Sequence, residues 1–249
     1  RFDYAITRTL PGGTITALNA GDYGSVFIQQ AVTIDGEGTQ ASIVAGLSHT
    51  TSAITISAAA TDAVILRGLT LNGAGGGPNL LGVSFQAGGS LVLDHCAFSG
   101  FGGAGLDLET GVATVLHTTF TQCATGVQIS GGLVSLRDVT LQGGRSGIVN
   151  NAGVSDIKDS LIAQNSQFGV VANNGSVSVS GCTLSGNGVA AQSAPNATLR
   201  LTDNNLWNNG TALRNGGGII ATTGDNRRAG NATAGQSSTD QPNRSITVQ

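Results

Sequence analysis

A unit of about 22 residues recurs along most of this chain and constrains the fold more than any other feature of the sequence. Each unit is too short to bury its own apolar residues, and its spacing is that of short strands rather than of a helix. Stacked units bury a common core, so we predict an all-β chain folded as a parallel β-helix with coils of about 21–22 residues. Each unit has an apolar anchor followed five residues later by a second apolar residue, and the anchors are Leu66, Leu93, Val115, Leu136, Ile157, Val179 and Leu201.

Two polar positions of the unit form columns when the coils are stacked. Asparagine recurs eight residues after the anchor, at Asn165, Asn187 and Asn209, which predicts side-chain amides that bond from coil to coil. The position two residues after the anchor, the turn column, takes residue types that tolerate a left-handed backbone. We therefore expect a tight turn there and not a metal site. The turn column consists of Gly68, His95, His117, Asp138, Asp159, Gly181 and Asp203.

The repeat divides the chain into three parts. Residues 1–13 are predicted to cap the N-terminal end, because Phe2, Ile6 and Leu10 recur every four residues, as in a short amphipathic helix. Residues 14–218 form the parallel β-helix, with an inserted turn at 73–79. Residues 219–249 add a last coil and a tail that caps either its own chain, which we favour, or a neighbouring copy.

The composition narrows the partners and the compartment. Charged residues make up 10% of the chain and the net charge is -3, so no basic surface for nucleic acid is predicted, and no apolar run is long enough for membrane insertion. Cys96, Cys123 and Cys182 follow no metal-ligand spacing and are expected in the core. We expect no cofactor and no metal. We also expect an extracellular or cell-surface location after removal of a signal peptide, with the periplasm as the alternative.

Motifs near the N-terminus resemble a known superfamily. The stretches at 12–15 (GGTI), 20–24 (AGDYG) and 32–38 (VTIDGEG), together with the repeat, look like those of bacterial right-handed, single-stranded parallel β-helix repeat proteins of the pectate-lyase-like superfamily. The resemblance implies a right-handed coil over nearly the whole chain. It leaves the activity open, because that superfamily includes lyases, hydrolases, epimerases and adhesins.

Carbohydrate-active members of that superfamily place substrate along the strand that here follows each glycine of the repeat. Asp107 and Glu109 lie two residues apart on such a strand, about 6.5–7 Å, a separation that suits an inverting glycosidase. They are the catalytic candidates, although the neighbouring coils offer no third carboxylate and the Arg-x-Pro-x-x-Arg motif of pectate lyases is missing. Other outward residues of this face are ligand candidates, namely Gln86, Gln128, Ser130, Asn151, Asn173 and Arg214.

Apolar residues on the outside mark candidate interfaces. Trp207 is expected to be exposed near the C-terminal end, and Ile246 and Val248 alternate with polar residues like an edge strand. A continuous apolar stripe suggests a partner or the tail lying across it. We assign to this stripe the outward residues Val149, Val171, Ala190 and Ala212.

Three functions fit these features. The leading hypothesis is an exported, non-enzymatic structural or adhesive β-helix that assembles with itself, head to tail, through its C-terminal segment. The first alternative is a polysaccharide lyase or glycoside hydrolase that uses Asp107 and Glu109. The second is a carbohydrate-binding module without turnover, so the expected partners are a second copy of the chain or a polysaccharide.

Overall fold

The chain folds as a right-handed parallel β-solenoid of about ten turns; the repeat predicts the parallel coil, and the resemblance implies its hand. A computed structural model describes residues 1–46, 51–73, 77–233 and 244–245. Three successive strands make one rung of the solenoid. The helix and the strands of the first four rungs are α1 (Phe2–Ile6), β1 (Gly13–Thr16), β2 (Gly21–Asp22), β3 (Val26–Ile28), β4 (Val32–Asp35), β5 (Ala41–Val44), β6 (Ser52–Ser57), β7 (Ala63–Arg67), β8 (Thr70–Asn72), β9 (Leu81–Ala87), β10 (Ser90–Asp94), β11 (Ala97–Ser99) and β12 (Ala104–Leu108).

The later rungs repeat the same pattern more regularly. Their strands are β13 (Val112–Leu116), β14 (Thr119–Thr121), β15 (Thr125–Ile129), β16 (Leu133–Arg137), β17 (Thr140–Gln142), β18 (Ser146–Asn150), β19 (Val154–Lys158), β20 (Leu161–Ala163), β21 (Phe168–Ala172), β22 (Gly175–Ser180), β23 (Thr183–Ser185), β24 (Val189–Ser193), β25 (Ala197–Thr202), β26 (Asn205–Trp207), β27 (Thr211–Asn215), β28 (Ile219–Thr222), β29 (Arg227–Ala229) and β30 (Arg244–Ser245). At the inserted turn, the described residues 73 and 77–80 lie outside strands, between β8 and β9.

Three parallel sheets run along the solenoid, and each takes one strand from every rung. Sheet A runs from β1 to β30, sheet B from β2 to β29 and sheet C from β3 to β27. Strands pair with the strands one rung before and one rung after. Leu93, for example, pairs with Leu66 on one side and with Val115 on the other. The anchors of the sequence repeat therefore stack in one column of sheet A.

One continuous apolar core fills the interior, from Phe2 at the first rung to Ile220 at the last. Phe98 and Phe120 occupy the same position on adjacent rungs, and their rings stack with centroids 4.6 Å apart. Each buried Val, Leu, Ile or Phe contributes about 1.5–3 kcal/mol. Because a rung shares these contacts with its neighbours, stability comes from stacking rather than from any single rung.

The three cysteines lie in this core, as predicted. Cys96, Cys123 and Cys182 are free and buried, and burial raises the pKa of each thiol to about 11. A thiol that stays protonated in an apolar environment is a poor nucleophile and a poor metal ligand. The cysteines therefore act as small core residues.

The turn column has the conformation that its residue types predict. All seven of its residues have φ between 46° and 64°. The column lies between sheets A and B, where each rung changes direction; His95, for example, separates β10 from β11. The left-handed turn thus explains why only glycine, aspartate and histidine occur at this position.

The predicted asparagine ladder is also present and is buried. Nδ2 of Asn165 donates to Oδ1 of Asn187 at 3.0 Å, and Nδ2 of Asn187 donates to Oδ1 of Asn209 at 3.1 Å. Asn231 extends the ladder by one rung. Each amide thus satisfies polar groups of the next rung inside the protein, where an unsatisfied group is costly.

The N-terminal cap is shorter than the four-residue periodicity predicts. Phe2 is 1% exposed and stacks on Tyr23 with ring centroids 4.5 Å apart, so α1 does close the first rung. Leu10, however, is 80% exposed and lies outside the helix. The prediction was wrong for Leu10 because α1 ends at Ile6, and turns connect it to β1.

At the C-terminal end, β28 and β29 make a partial tenth rung. Arg244 and Ser245 form β30, which pairs with β28 of the same chain through Ala221 and Thr222. Ile246 and Val248, the predicted edge residues, lie outside the described residues. In the part of the chain that the structure describes, no helix combines the length and apolarity needed to cross a bilayer.

Candidate functional site

The outer face of sheet C carries one straight column of side chains. Strand alternation places them outside: Asp107 faces outward, while Leu106 and Leu108 on either side of it are fully buried. Rungs are about 4.8 Å apart, so a column of nine rungs is about 38 Å long. The pairing of the strands gives the order Phe27, Thr55, Ser84, Asp107, Gln128, Val149, Val171, Gln192 and Arg214.

This register corrects the predicted apolar stripe. Ala190 and Ala212 are fully buried, and Val171, which pairs with Gln192, is only 3% exposed. The sequence assignment placed the last two rungs by Gly188 and Gly210. In the structure, alanine takes over the position held by glycine on earlier rungs. The stripe thus shrinks to Val149 and Val171, and Gln192 and Arg214 join the column of Asp107.

The middle of the column forms the floor of a cavity of about 310 Å³, which we call the sheet C groove. Val149 and Val171 form its apolar floor, and the amides of Gln128 and Gln192 lie at its two ends. These four residues span four rungs, or about 14 Å. The groove is lined by Thr125, Gln128, Arg145, Ser146, Val149, Asn151, Gln167, Phe168, Val171, Asn173 and Gln192.

The groove continues toward the N-terminal end. A neighbouring cavity of about 250 Å³ shares Thr125, Gln128 and Arg145 with it. Pro78 and Asn79, the last two residues of the inserted turn, line this second cavity. The insertion therefore contributes a wall to the same face of the protein.

Arg145 stands at the junction of the two cavities. Its backbone is fixed on both sides: its N–H donates to the carbonyl of Ala124 at 3.1 Å, and its carbonyl accepts from the N–H of Gln167 at 2.8 Å. The side chain is exposed and forms no salt bridge with any described residue. A guanidinium in this position is suited to a carboxylate or sulfate on a bound molecule.

Asp107 is the carboxylate of the column. It is half-buried, and Nε2 of Gln128 donates to its Oδ1 at 3.3 Å. Burial raises the pKa of Asp107, while the hydrogen bond from Gln128 lowers it by less. Glu109, the other catalytic candidate, is exposed and lies one residue beyond β12. Among the described residues of the column, Asp107 has Ser84 and Gln128 as its neighbours and no second carboxylate.

The remaining ligand candidates differ in position: Asn151 and Asn173 line the groove, whereas Gln86 and Ser130 line neither of the two cavities. Gln86, Ser130, Asn151 and Asn173 are all exposed. Nδ2 of Asn173 donates to Oδ1 of Asn151 at 2.9 Å, and both side chains line the groove. The structure therefore brings three of the ligand candidates, Gln128, Asn151 and Asn173, together in the lining of the groove.

Trp207 does not belong to this site. It is 40% exposed, as predicted, but it lies on β26 of sheet B, where it pairs with Ser185 and Ala229. Arg214, on β27, is exposed at the C-terminal end of the column. A ligand in the groove therefore faces Arg145 and not the tryptophan.

Sequence reasoning missed several residues of this face, among them Phe27, Arg145 and Gln167. Phe27 begins the column and is 50% exposed, but the early rungs depart from the 22-residue spacing that locates the later strands. Arg145 and Gln167 come from the turns between sheets B and C, where strand alternation does not set direction.

None of the described lining residues of the groove is a histidine or a cysteine. Among the described residues, the group whose atoms could hold a metal ion is Asp94, His95 and His117, at the turn between sheets A and B. Any metal chemistry would thus belong to a different part of the surface.

Comparison with known proteins supports the fold. The family described as "Right handed beta helix region" matches residues 52–234, which include the groove and both polar columns. No curated protein matches the sequence at a significant level. The match covers well over half of the chain, and the chain therefore belongs to the right-handed β-helix family.

Proposed function

We propose that this protein is an exported, non-enzymatic adhesive β-helix that binds an extended polysaccharide in the sheet C groove. The observation that carries the proposal is the lining of the groove, where amides surround a floor of two valines. Sugar rings present hydroxyl groups at their edges and C–H groups on their faces. Amides that donate and accept hydrogen bonds suit the former, and an apolar floor suits the latter.

The shape of the groove supports an extended polymer rather than a compact ligand. The groove runs along the solenoid axis over four rungs, about 14 Å, which is the length of a short oligosaccharide. Gln128 and Gln192 lie on the axis of the groove, while Asn151 and Asn173 lie along one edge. The rungs place their side chains at equal steps along the axis, as a polymer places its sugar units.

Arg145 favours a polysaccharide with carboxylate groups. A charge-assisted hydrogen bond from a guanidinium to a carboxylate contributes about 1.5–3 kcal/mol, more than a neutral pair. Asp107, one rung beyond Gln128 on the side nearer the N-terminus, opposes the binding of a second carboxylate there when it is ionised. We therefore expect one carboxylate to bind near Arg145.

Hydrolysis is the second candidate function, and the raised pKa of Asp107 is the observation that favours it. A carboxyl group whose pKa is raised by burial is a potential general acid. An inverting hydrolase also needs a general base on the opposite side of the bond. Because the described neighbours of Asp107 in the column supply no such base, we favour binding without turnover.

Self-assembly receives less support than binding. End-to-end stacking through sheet A needs a free edge at β28, and β30 of the same chain pairs with that edge. We therefore place adhesion to polysaccharide ahead of filament formation. Size-exclusion chromatography of the whole chain at rising concentration is expected to give a monomer; a concentration-dependent oligomer would restore assembly as the leading function.

Binding to polygalacturonate and to a neutral β-glucan, measured by affinity electrophoresis or calorimetry, tests the proposal. We expect the acidic polymer to bind more tightly and Arg145→Ala to weaken this binding about 10- to 100-fold. Arg137→Ala is the matched control, since Arg137 is exposed on sheet A. Equal effects of the two substitutions, or no binding to either polymer, would contradict the proposal.

The same samples separate binding from turnover. Under the proposal, the protein releases no reducing ends or unsaturated products, and Asp107→Asn retains binding. Product formation that disappears in Asp107→Asn would instead identify a hydrolase or lyase.

A further inference from the structure

Two histidines occupy the turn column on adjacent rungs, away from the sheet C groove. Their rings stack with centroids 4.6 Å apart and planes 25° apart. The Nδ1 atoms of His95 and His117 each lie 2.9 Å from Oδ1 of Asp94. From this convergence we propose that Asp94, His95 and His117 bind a divalent transition-metal ion, Zn²⁺, through one carboxylate oxygen and two imidazole nitrogens.

The turn itself does not require histidine. Asp138 and Asp159 continue the column on the next two rungs with φ of 53° and 50°, against 50° for His95 and 46° for His117. Aspartate and glycine adopt this conformation at least as readily as histidine. The two imidazoles thus have no necessary role in the backbone. They are 57% and 45% exposed, so a metal ion reaches them from solvent.

The distances suit such an ion. The three ligand atoms lie within 4.8 Å of one another. Zinc binds imidazole nitrogen and carboxylate oxygen at about 2.0–2.2 Å, so small rotations of exposed side chains bring the atoms around one ion. Oε1 of Glu37 lies 3.9 Å from Nδ1 of His95 and is within reach as a fourth ligand. Two nitrogen ligands favour a transition metal over Ca²⁺ or Mg²⁺, which prefer oxygen alone.

Neighbouring charges orient two of the ligands. Nε of Arg67 lies 3.7 Å from Oδ2 of Asp94, so Arg67 holds that oxygen and Oδ1 faces the histidines. Oδ2 of Asp138 lies 4.0 Å from Nε2 of His117. A carboxylate beside one ring nitrogen favours a proton on that nitrogen, which leaves the lone pair of the other nitrogen for the metal. The positive charge of Arg67 also limits the affinity, since it repels the ion.

Calorimetric titration of the whole chain with ZnCl₂, in a buffer without chelator, tests the proposal. We expect one Zn²⁺ per chain with a dissociation constant on the order of micromolar. His95→Asn and His117→Asn remove one ligand each, and asparagine tolerates the positive φ of the turn. Each is expected to weaken binding at least about 100-fold, and Asp138→Asn about tenfold, as for the loss of an outer-shell carboxylate.

The third histidine of the sequence, His49, provides the matched control. His49→Gln is expected to leave the affinity unchanged, and circular dichroism is expected to give the same spectrum for all variants. Nuclear magnetic resonance of the unsubstituted chain gives a reading that needs no substitution: zinc is expected to shift the ring signals of two histidines and not the third.

The results that would overturn the proposal are equally specific. Zinc binding that survives in the His95→Asn/His117→Asn double variant places the ion elsewhere. Binding that is lost in His49→Gln does the same, and so does a titration in which millimolar zinc moves no pair of histidine ring signals. Any of these outcomes returns the turn column to the purely structural role that its residue types predict.

Discussion

Replacing Asn187 by alanine is expected to destabilise the solenoid far more than the same change at an exposed asparagine. The Asn187 side chain takes part in four hydrogen bonds. Its Oδ1 accepts from the backbone N–H of Asn165 at 3.1 Å and from Nδ2 of Asn165 at 3.0 Å. Its Nδ2 donates to the carbonyl of Ile162 at 2.9 Å and to Oδ1 of Asn209 at 3.1 Å. All four involve buried atoms.

The size of the expected loss in stability follows from which groups keep a hydrogen-bond partner after the substitution. Nδ2 of Asn165 still donates to the carbonyl of Leu141, and Oδ1 of Asn209 still accepts from the backbone N–H of residue 187. The N–H of Asn165 loses its bond to this side chain, whereas the carbonyl of Ile162 remains within the β20–β23 ladder. An unsatisfied buried group costs about 1–3 kcal/mol, so the free energy of unfolding is expected to fall by about that amount.

Asn173→Ala is the matched control. Asn173 is exposed, and its side chain donates one hydrogen bond, to Asn151 at 2.9 Å. Surface substitutions of this kind usually change stability by less than about 0.5 kcal/mol. Urea unfolding followed by circular dichroism compares the two variants, and hydrogen exchange at the Asn165 amide is expected to accelerate in Asn187→Ala alone. Equal midpoints for the two variants would refute the reasoning.

Two further predictions concern sheet C. Gly126→Ala places a Cβ 2.5 Å from Cδ2 of Leu141 and 2.7 Å from the carbonyl oxygen of Gly147. We therefore expect the free energy of unfolding in urea to fall by about 1–3 kcal/mol. A melting temperature that does not fall would contradict this expectation. Because burial raises the pKa of Asp107, the native state binds a proton more tightly than the unfolded state, and stability falls as the pH rises from the ordinary value of 3.8 through the raised pKa. Asp107→Asn removes this fall. The melting temperature of the variant minus that of the unsubstituted chain is therefore expected to be more positive at pH 7 than at pH 3. A difference that does not vary with pH would count against a raised pKa of Asp107.

The fold could be predicted from the sequence because stacking makes every constraint recur. An apolar anchor and a left-handed turn recur on every rung from Leu66 to Leu201, a buried amide recurs from Asn165 onward, and single-residue preferences add up along each column. Asn187 illustrates this: one asparagine means little, but asparagines at the same position on neighbouring rungs indicate a ladder.

Positions filled by different residue types escaped that reasoning. On three rungs the residue after the left-handed turn accepts a backbone N–H from the preceding rung, through Oγ1 of Thr118, Oγ of Ser160 and Oδ1 of Asn204. Threonine, serine and asparagine all meet this requirement, so no single letter marks the column. The same tolerance explains why the strand containing Ala190 was placed in the wrong register from the sequence. Earlier rungs have glycine at this buried position, and alanine is small enough to replace it.

The groove was only partly predictable for a different reason. Gln128, Asn151 and Asn173 follow from strand alternation, which fixes the side that each residue faces. Arg145 and Gln167 follow a turn, and the direction of their side chains depends on how one rung packs on the next. The histidine pair was visible in the sequence, but the approach of Asp94 Oδ1 to both Nδ1 atoms comes from side-chain geometry.

The turn column has a consequence for how such a protein can acquire new chemistry. Its positions are held at a fixed pitch of about 4.8 Å by the backbone of the sheets, and the fold accepts several residue types at each. A single substitution there changes the displayed functional group without moving its neighbours. Histidine at Asp138 and Asp159 would continue the row begun by His95 and His117. A β-solenoid can therefore gain or lose a chelating array one codon at a time, while its core sequence stays constant.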